Sequence, residues 1–378
     1  MRIAVVSLPL HTNYGGLLQS FALKKYLESH GHDVTVLDIR DKMPLPKWWK
    51  SPLVYTKRAV MRLLKGTDGP EIFREIRFRR EYPVVSVNTQ KFIDSHISPR
   101  VISDYKEIHE GEYEAFVVGS DQVWRPRYFS SIEDAFLAFT QGWDVVRVSY
   151  AASFGTNAME YEPDLMSRCA RLLDCFDGVS VREESAVRIC REWFDREDAV
   201  RLPDPVMLWD SSVYQSLAEA AKEHPAKGRL LSYILDHSKE KSVVLDFMSG
   251  VSGLQVHDIS PMTEDRSLPV AERIVPPVED WLAGFADADF VVTDSFHGCV
   301  LSILFHKPFV AVGNSRRGMA RLQSLLEMLD LDMRLVHGID PEDDGKYFLS
   351  QPDWSHVDSV LVEERIRSEA FLKKTLHK

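Results

Sequence analysis

Short β-branched apolar runs alternate with stretches of helical periodicity along most of this chain, and that rhythm limits the fold more than any other feature. Arg2–Leu8 (RIAVVSL) is a compact run of strand length. Leu17, Leu18, Phe21, Ala22 and Leu27 then recur near helical spacing, and Gly31 ends the pattern. Asp33–Ile39 (DVTVLDI) is a second run. Strand, helix, strand at the outset implies a right-handed crossover and parallel strands.

The rhythm resumes with strand-like runs at 115–120, 146–155 and 178–183, and with helical patterns at 163–175 and 184–193. A second series has strands at 229–235, 253–259, 289–294 and 308–313, with helical patterns before and after the third. Between the two series, VRLPDPVML (200–208) sets a proline on each side of Asp204. Proline restricts its own φ and its predecessor's conformation, so a hinge is expected there. The expected fold class is α/β, with two doubly wound Rossmann-like domains facing a cleft. Residues 1–204 form the first domain, with a basic helical excursion at 41–80. Residues 205–350 form the second, and 351–378 a C-terminal helix that packs back on the first.

With 378 residues, 44% of them hydrophobic, each half can bury its own core without disulfides or metals. Cys169, Cys175, Cys190 and Cys299 form no CxxC pair, so reduced, mostly buried thiols are expected. The formal net charge of −11 argues against non-specific nucleic-acid binding. That charge is uneven. From Arg40 to Arg80 there are twelve basic residues and four acidic ones, with Trp48 and Trp49 between Lys47 and Lys50. The stretch reads either as a solvated basic helical face or as a peripheral membrane contact. The first apolar run lacks the basic flank of a secretory signal, and no stretch approaches the ~20 apolar residues of a membrane span. A cytoplasmic protein is expected, either free or at the inner face of the membrane.

Ligands in open α/β sheets sit beyond strand ends near helix N-termini, and five sequence features fall at such places. Asn13, Tyr14, Gly15 and Gly16 separate the first strand from its helix. The two glycines allow either close backbone approach to a ligand or a tight turn. No GxGxxG is present, which leaves NAD weakly supported. Ser120 and Asp121 follow another strand, as helix caps or as an acid–base group. Arg182 follows a third, ready for a carboxylate or phosphate, or for an ion pair with Glu183 or Glu184. In VVTDSFHG, Thr293, Asp294, Ser295 and Gly298 frame His297 where a strand passes into a helix, a setting that attracts anions. Arg316, Arg317 and Arg321 follow the next strand, either clamping an anion over His297 or lining a basic surface.

Taken in order, NYGGLLQSFAL, GSDQVW, VSVRE, LPDPV, VTDSFHG and NSRRGMARLQSLLEMLDLDMR resemble the polysaccharide pyruvyl transferase family over about residues 3–334. That family is similar in fold to B-type glycosyltransferases. The resemblance implies transfer of a pyruvyl group from phosphoenolpyruvate to a sugar of a cell-surface polysaccharide or its precursor, forming a ketal and releasing phosphate. Phosphoenolpyruvate is then the co-substrate, with no other cofactor and no metal, and the partner is a saccharide acceptor, free or lipid-linked. The resemblance implicates His297 and Arg182 in donor binding or catalysis. Some branches carry Arg two residues before that His, where this chain has Ser295.

On chemical grounds His297 is expected to act as general acid or phosphate ligand, since an imidazole pKa of about 6.5 suits either. Arg182, Arg316 and Arg317 hold the donor anions, and Asp121 is the candidate base. Asn13, Tyr14, Gly15, Gly16, Ser120, Ser295 and Arg321 complete the expected donor site. Two other readings fit the same fold: a B-type glycosyltransferase using a nucleotide sugar, with Asp258 or Glu279 recognising the nucleoside, and a non-catalytic sugar-binding relative.

Overall fold

The computed structural model describes residues 1–39, 43, 45–66, 69–129, 131–263, 265, 267–314, 318–339 and 344–376. Its first sheet comprises β1 (Arg2–Val6), β2 (Asp33–Ile39), β3 (Arg100–Ile102), β4 (Ala115–Val118), β5 (Val146–Ala152), β6 (Gly178–Val181) and β7 (Val200–Arg201). They lie in the order β3-β2-β1-β4-β5-β6-β7, every pair parallel. The second sheet comprises β8 (Leu230–Tyr233), β9 (Val256–Asp258), β10 (Phe290–Thr293), β11 (Phe309–Val312) and β12 (Leu335–Val336), in the parallel order β12-β11-β10-β8-β9. Parallel sheets are covered on both faces, so their strands are apolar throughout rather than alternating. That is why Ala115–Val118, Phe290–Thr293 and Phe309–Val312, all wholly buried, read as continuous apolar runs.

Helix α1 (Tyr14–Ser29) joins β1 to β2, and α2 (Ser51–Lys65), α3 (Arg74–Val85) and α4 (Val87–Phe92) lie between β2 and β3. Next come α5 (Pro163–Asp174), α6 (Glu184–Phe194), α7 (Ser211–Ala218), α8 (Lys239–Ser252), α9 (Val278–Asp287), α10 (Phe296–Leu304), α11 (Met319–Met328), α12 (Lys346–Leu349) and α13 (Trp354–Leu376). Strand order reverses between β1 and β4 in the first sheet, and between β8 and β10 in the second. Loops leaving neighbouring strands at these points diverge to opposite faces and open a crevice at the strands' C-terminal ends.

The two halves are joined by packing as well as by the chain. Tyr14 of α1 stacks on Trp281 of α9, with ring centroids 4.7 Å apart, and donates its hydroxyl to Pro276 O at 2.8 Å. Trp209 Nε1 donates to Ala22 O at 3.1 Å, and Asn88 Nδ2 to Val275 O at 3.0 Å. One apolar cluster runs unbroken from Ile3 and Val5 to Val291 and Phe309.

The long α13 lies against the first sheet. Thr375 packs on Gly178 of β6, and Glu364 pairs with Arg201 of β7 at 2.6 Å. Arg365 donates to Met207 O within the Pro205–Leu208 turn and to Trp209 O just beyond it. No helix among the described residues is long and apolar enough to cross a membrane. Cys169, Cys190 and Cys299 are buried free thiols, and Cys175 is free and exposed.

Leu361 of α13 is buried in the core that joins the helix to the first domain. Leu361→Ala is therefore expected to cost about 2–5 kcal/mol, read as a lower denaturant midpoint at unchanged slope.

Candidate functional site

An open cleft lies at both reversals of strand order. Its wall takes Asn13 from the loop after β1, and Asp121, Gln122 and Tyr128 from the segment after β4. From the second domain come Leu235 after β8, Asp294 to His297 after β10, Asn314 after β11, and Gly318, Met319, Arg321 and Leu322 at the start of α11. Every contributing segment follows a strand's C-terminal end, where helix N-termini and exposed amides favour anions.

His297 is the second residue of α10. The Ser295 hydroxyl caps that helix by accepting from Gly298 N at 3.3 Å, which leaves the amides of Phe296 and His297 outside the intrahelical ladder. The imidazole is held from behind. A Cβ on Gly15 would sit 2.1 Å from His297 Nδ1, so α1 reaches the ring only because residue 15 has no side chain.

Nε2 of His297 lies 3.6 Å from Asp204 Oδ2, and the same oxygen lies 2.7 Å from Arg182 Nη2. Asp204 also accepts from Val206 N through Oδ1 at 2.9 Å, capping the turn at Pro205–Leu208. Burial pushes this carboxyl up, but Arg182 and His297 outweigh burial and hold it down at about 2. Asp204 is therefore a fixed anion beneath the imidazole.

A second buried group links the domains. Arg321 Nη1 of α11 meets Asp121 Oδ1 of the first domain at 3.0 Å, and Arg182 Nη1 approaches the same oxygen at 3.6 Å. The two guanidinium carbons lie 4.9 Å (Arg182) and 5.7 Å (Arg321) from the centre of the Phe296 ring, within cation–π range. Burial raises the Asp121 carboxyl, but Arg182 and Arg321 drive it below the usual range. On the second-domain side, Asp294 accepts from Leu235 N at 2.7 Å, Lys241 Nζ at 2.7 Å and Asn314 Nδ2 at 2.8 Å. Its carboxylate thus pins the loops after β8 and β11 around the cavity.

Asn13, Asp121, Ser295, His297 and Arg321 meet in the lining. Arg182, Tyr14, Gly15, Gly16 and Ser120 are absent from it among the described residues. Arg182 lies one layer below, its Nη2 facing Asp204 and the Ser120 hydroxyl and its Nη1 3.6 Å from Asp121, rather than pairing with Glu183 or Glu184, while Nε and Nη1 make no hydrogen bond among the described residues. Glu183 instead accepts from the Ser153 hydroxyl. Tyr14 is spent on the domain junction, Gly15 makes room for an imidazole rather than a ligand, and the Gly16 carbonyl accepts from Gln19 and Ser20. The Ser120 hydroxyl donates to Ala151 O.

The reading of Ser120 and Asp121 as helix caps is corrected. Asp121 sits at φ +66° in a turn, with no α-helix following until α5. Its depressed carboxyl is also a weak base, which makes Asp121 an anchor for Arg321. Arg316 and Arg317 lie outside the described residues. Asp258 accepts from Ser260, and Glu279 faces His96 at 3.9 Å; neither lines the cavity.

Sequence reasoning noted Asp204 only as part of a hinge and passed over Lys241 and Asn314. An acid between two prolines, and an Asn directly after a strand, were the available signals. Among the described residues no group of three His, Cys, Asp or Glu side chains is arranged to hold a metal ion. The arrangement can hold an anion against His297, Arg321 and the α10 amides, and can move a proton through an imidazole whose far side faces a fixed carboxylate.

A family model described as polysaccharide pyruvyl transferase matches residues 13–316. No curated protein matches the sequence. Among solved structures, the chain is similar to UDP-N-acetylglucosamine 2-epimerase from Rickettsia bellii, with 10% identity, TM-score 0.49, and coverage of 100% of this chain and 99% of that one. It is similar to Acinetobacter baumannii MurG, with 10% identity, TM-score 0.42, and coverage of 100% and 99%. It is also similar to the glycotransferase of kitacinnamycin, with 14% identity, TM-score 0.42, and coverage of 100% and 96%. Likeness at that level bears on neither the reaction nor the site.

Asp204→Asn is expected to cost about 3–5 kcal/mol at pH 7, because it leaves Arg182 buried beside a neutral partner. A depressed carboxyl stabilises the fold above the ordinary carboxylate pKa of about 4 and loses that contribution as pH falls toward about 2. The stability gap between wild type and variant, followed by denaturant titration, should therefore be full at pH 7 and shrink below about pH 4. Gly15→Ala should displace the His297 ring and lower turnover at least ~10²-fold while the far-ultraviolet circular dichroism stays unchanged.

Proposed function

This chain belongs to the polysaccharide pyruvyl transferase family, a family of transferase enzymes, and we propose that its cavity takes phosphoenolpyruvate as the pyruvyl donor. The acceptor is a saccharide of a cell-surface polysaccharide or of its lipid-linked precursor. The observation that carries this reading is the meeting of His297, Arg321 and the free end of α10 in one cavity at both strand-order reversals.

Phosphoenolpyruvate presents a phosphate and a carboxylate on a three-carbon frame. Such a donor needs at least two cationic or amide-rich positions a few ångströms apart. Arg321 and the Phe296 and His297 amides supply two. By sequence position alone, Arg316 and Arg317 are the candidates for the donor-anion contact that other branches make through Arg in place of Ser295.

In this scheme His297 delivers a proton to the methylene carbon, which becomes a methyl group. One sugar hydroxyl bonds to the adjacent carbon, a second displaces phosphate from it, and the ketal closes. Of the two hydroxyl protons, one is accounted for by the new methyl group and the other by the released phosphate. Asp204, buried behind the ring, stabilises the imidazolium before transfer and fixes its orientation. Arg182 acts through Asp204 and Asp121 as a positioning residue, holding the two carboxylates that aim His297 and Arg321.

Two measurements test the reading. His297→Ala should lower phosphate release from phosphoenolpyruvate with a competent saccharide acceptor by ~10²–10⁴-fold, and turnover at the wild-type rate would contradict the assignment. Phosphoenolpyruvate should raise the melting temperature of the wild-type chain, whereas UDP- and GDP-sugars should not; the reverse pattern favours a nucleotide-sugar enzyme.

A further inference from the structure

Helix α2 has no buried residue. Leu53, Val60, Leu63 and Leu64 recur on one face, and Leu63 and Leu64 are 86% and 77% exposed. Trp48, immediately before the helix, is 82% exposed, and Trp49 is also exposed. The face turned toward the protein is mixed and only half-buried, with Val54, Tyr55, Ala59 and Met61 beside Arg58 and Arg62. Arg58 grips Glu75 of α3 through two bonds of 2.8 and 2.7 Å, and Tyr55 lies against Phe73 with ring centroids 5.0 Å apart. The Arg58 bonds hold the Glu75 carboxyl at about 2, so this attachment persists across the physiological pH range. An ion pair and a ring contact anchor the helix, and a second apolar stripe is left facing outward, which a surface helix of a globular protein does not ordinarily show.

What covers the stripe follows from its charge. Between Asp41 and Asp68 the chain has seven basic residues and no acidic one, within a protein of net charge −11. Lys47, Lys50, Lys57 and Lys65 alternate with the exposed Trp and Leu side chains along this segment, and Lys47 Nζ lies 5.4 Å from the Trp49 ring. Exposed Trp and Leu interleaved with Lys match a layer that is apolar below and anionic above, as at the headgroup boundary of an acidic bilayer. The excursion also starts where it would be useful. β2 runs parallel to β1, so its last residue, Ile39, ends at the same sheet edge from which Asn13 reaches the cavity. α3 then extends to the second domain, where Glu81 meets Arg273 at 2.8 Å.

We propose that α2, together with Trp48 and Trp49, docks in the plane of an anionic lipid surface. Resting on the function proposed above, this makes the acceptor a saccharide presented at that surface. The test is co-sedimentation of the full chain with phosphatidylcholine vesicles, with and without phosphatidylglycerol. The wild type should bind the anionic vesicles, leave the neutral ones in solution, and be released by salt. The triple variant Lys50→Ala/Lys57→Ala/Lys65→Ala should bind about 100-fold more weakly, at roughly five-fold per basic residue. Leu63→Asp/Leu64→Asp, at two solvent-facing positions, should keep the wild-type melting temperature and its rise with phosphoenolpyruvate while losing vesicle binding. Three results would overturn the proposal: no binding by the wild type, equal binding by the Leu63→Asp/Leu64→Asp variant, or a wild-type dimer that this variant dissolves. Should phosphoenolpyruvate fail to shift the wild type while vesicle binding behaves as expected, the donor assignment falls and the docking surface stands.

Discussion

Asp204 carries a charge that burial opposes and that Arg182 and His297, both facing its Oδ2, stabilise. Because it is almost entirely enclosed, the carboxylate has no water to fall back on, and losing either partner leaves a buried charge. Its other oxygen closes the turn between the two halves of the chain. One side chain therefore couples the hinge, the guanidinium at the end of β6 and the imidazole at the start of α10. Turning the ring away would remove one of the two partners of that charge, and Gly15 packs close to its other nitrogen.

The same logic recurs in the other buried polar groups. Arg321 crosses from the second domain to Asp121 of the first, and Asp294 gathers Leu235, Lys241 and Asn314 within the second. Each cavity wall is held by charge-assisted bonds in a low-dielectric setting, where such bonds are strong and directional. Tyr14 on Trp281 and Trp209 on Ala22 O close the junction behind them. Groups suited to an anion are thus held on rigid supports, the preorganisation that electrostatic stabilisation of developing charge requires.

Most of the fold was legible because parallel strands are buried on both faces. Ile3–Val6, Phe290–Thr293 and Phe309–Val312 show as apolar runs that need no partner strand to be recognised. What escaped was short or irregular. β7 and β12 have two residues each and β3 three, too few for a period to appear. The segment after β4 turns at Asp121 with positive φ and continues as tight turns, so Ser and Asp there imitate a helix cap.

In the site, His297 was legible from its place between a strand and a helix. Arg182 was legible as important but not as buried, because sequence does not show that Asp204, 22 residues on, folds back to meet it. Gly15 was recognised as a close approach, but its neighbour is a side chain more than 280 positions away. Long-range pairings of this kind leave no periodic trace.

A crystal structure of the chain with phosphoenolpyruvate bound addresses the central claim most directly. The account predicts electron density for the phosphate or carboxylate within hydrogen-bonding distance of His297 and Arg321, at the free end of α10, with Arg182 still paired to Asp204. Density for the donor at a different surface, or an Arg182 side chain released from Asp204 to grip it, would contradict the account.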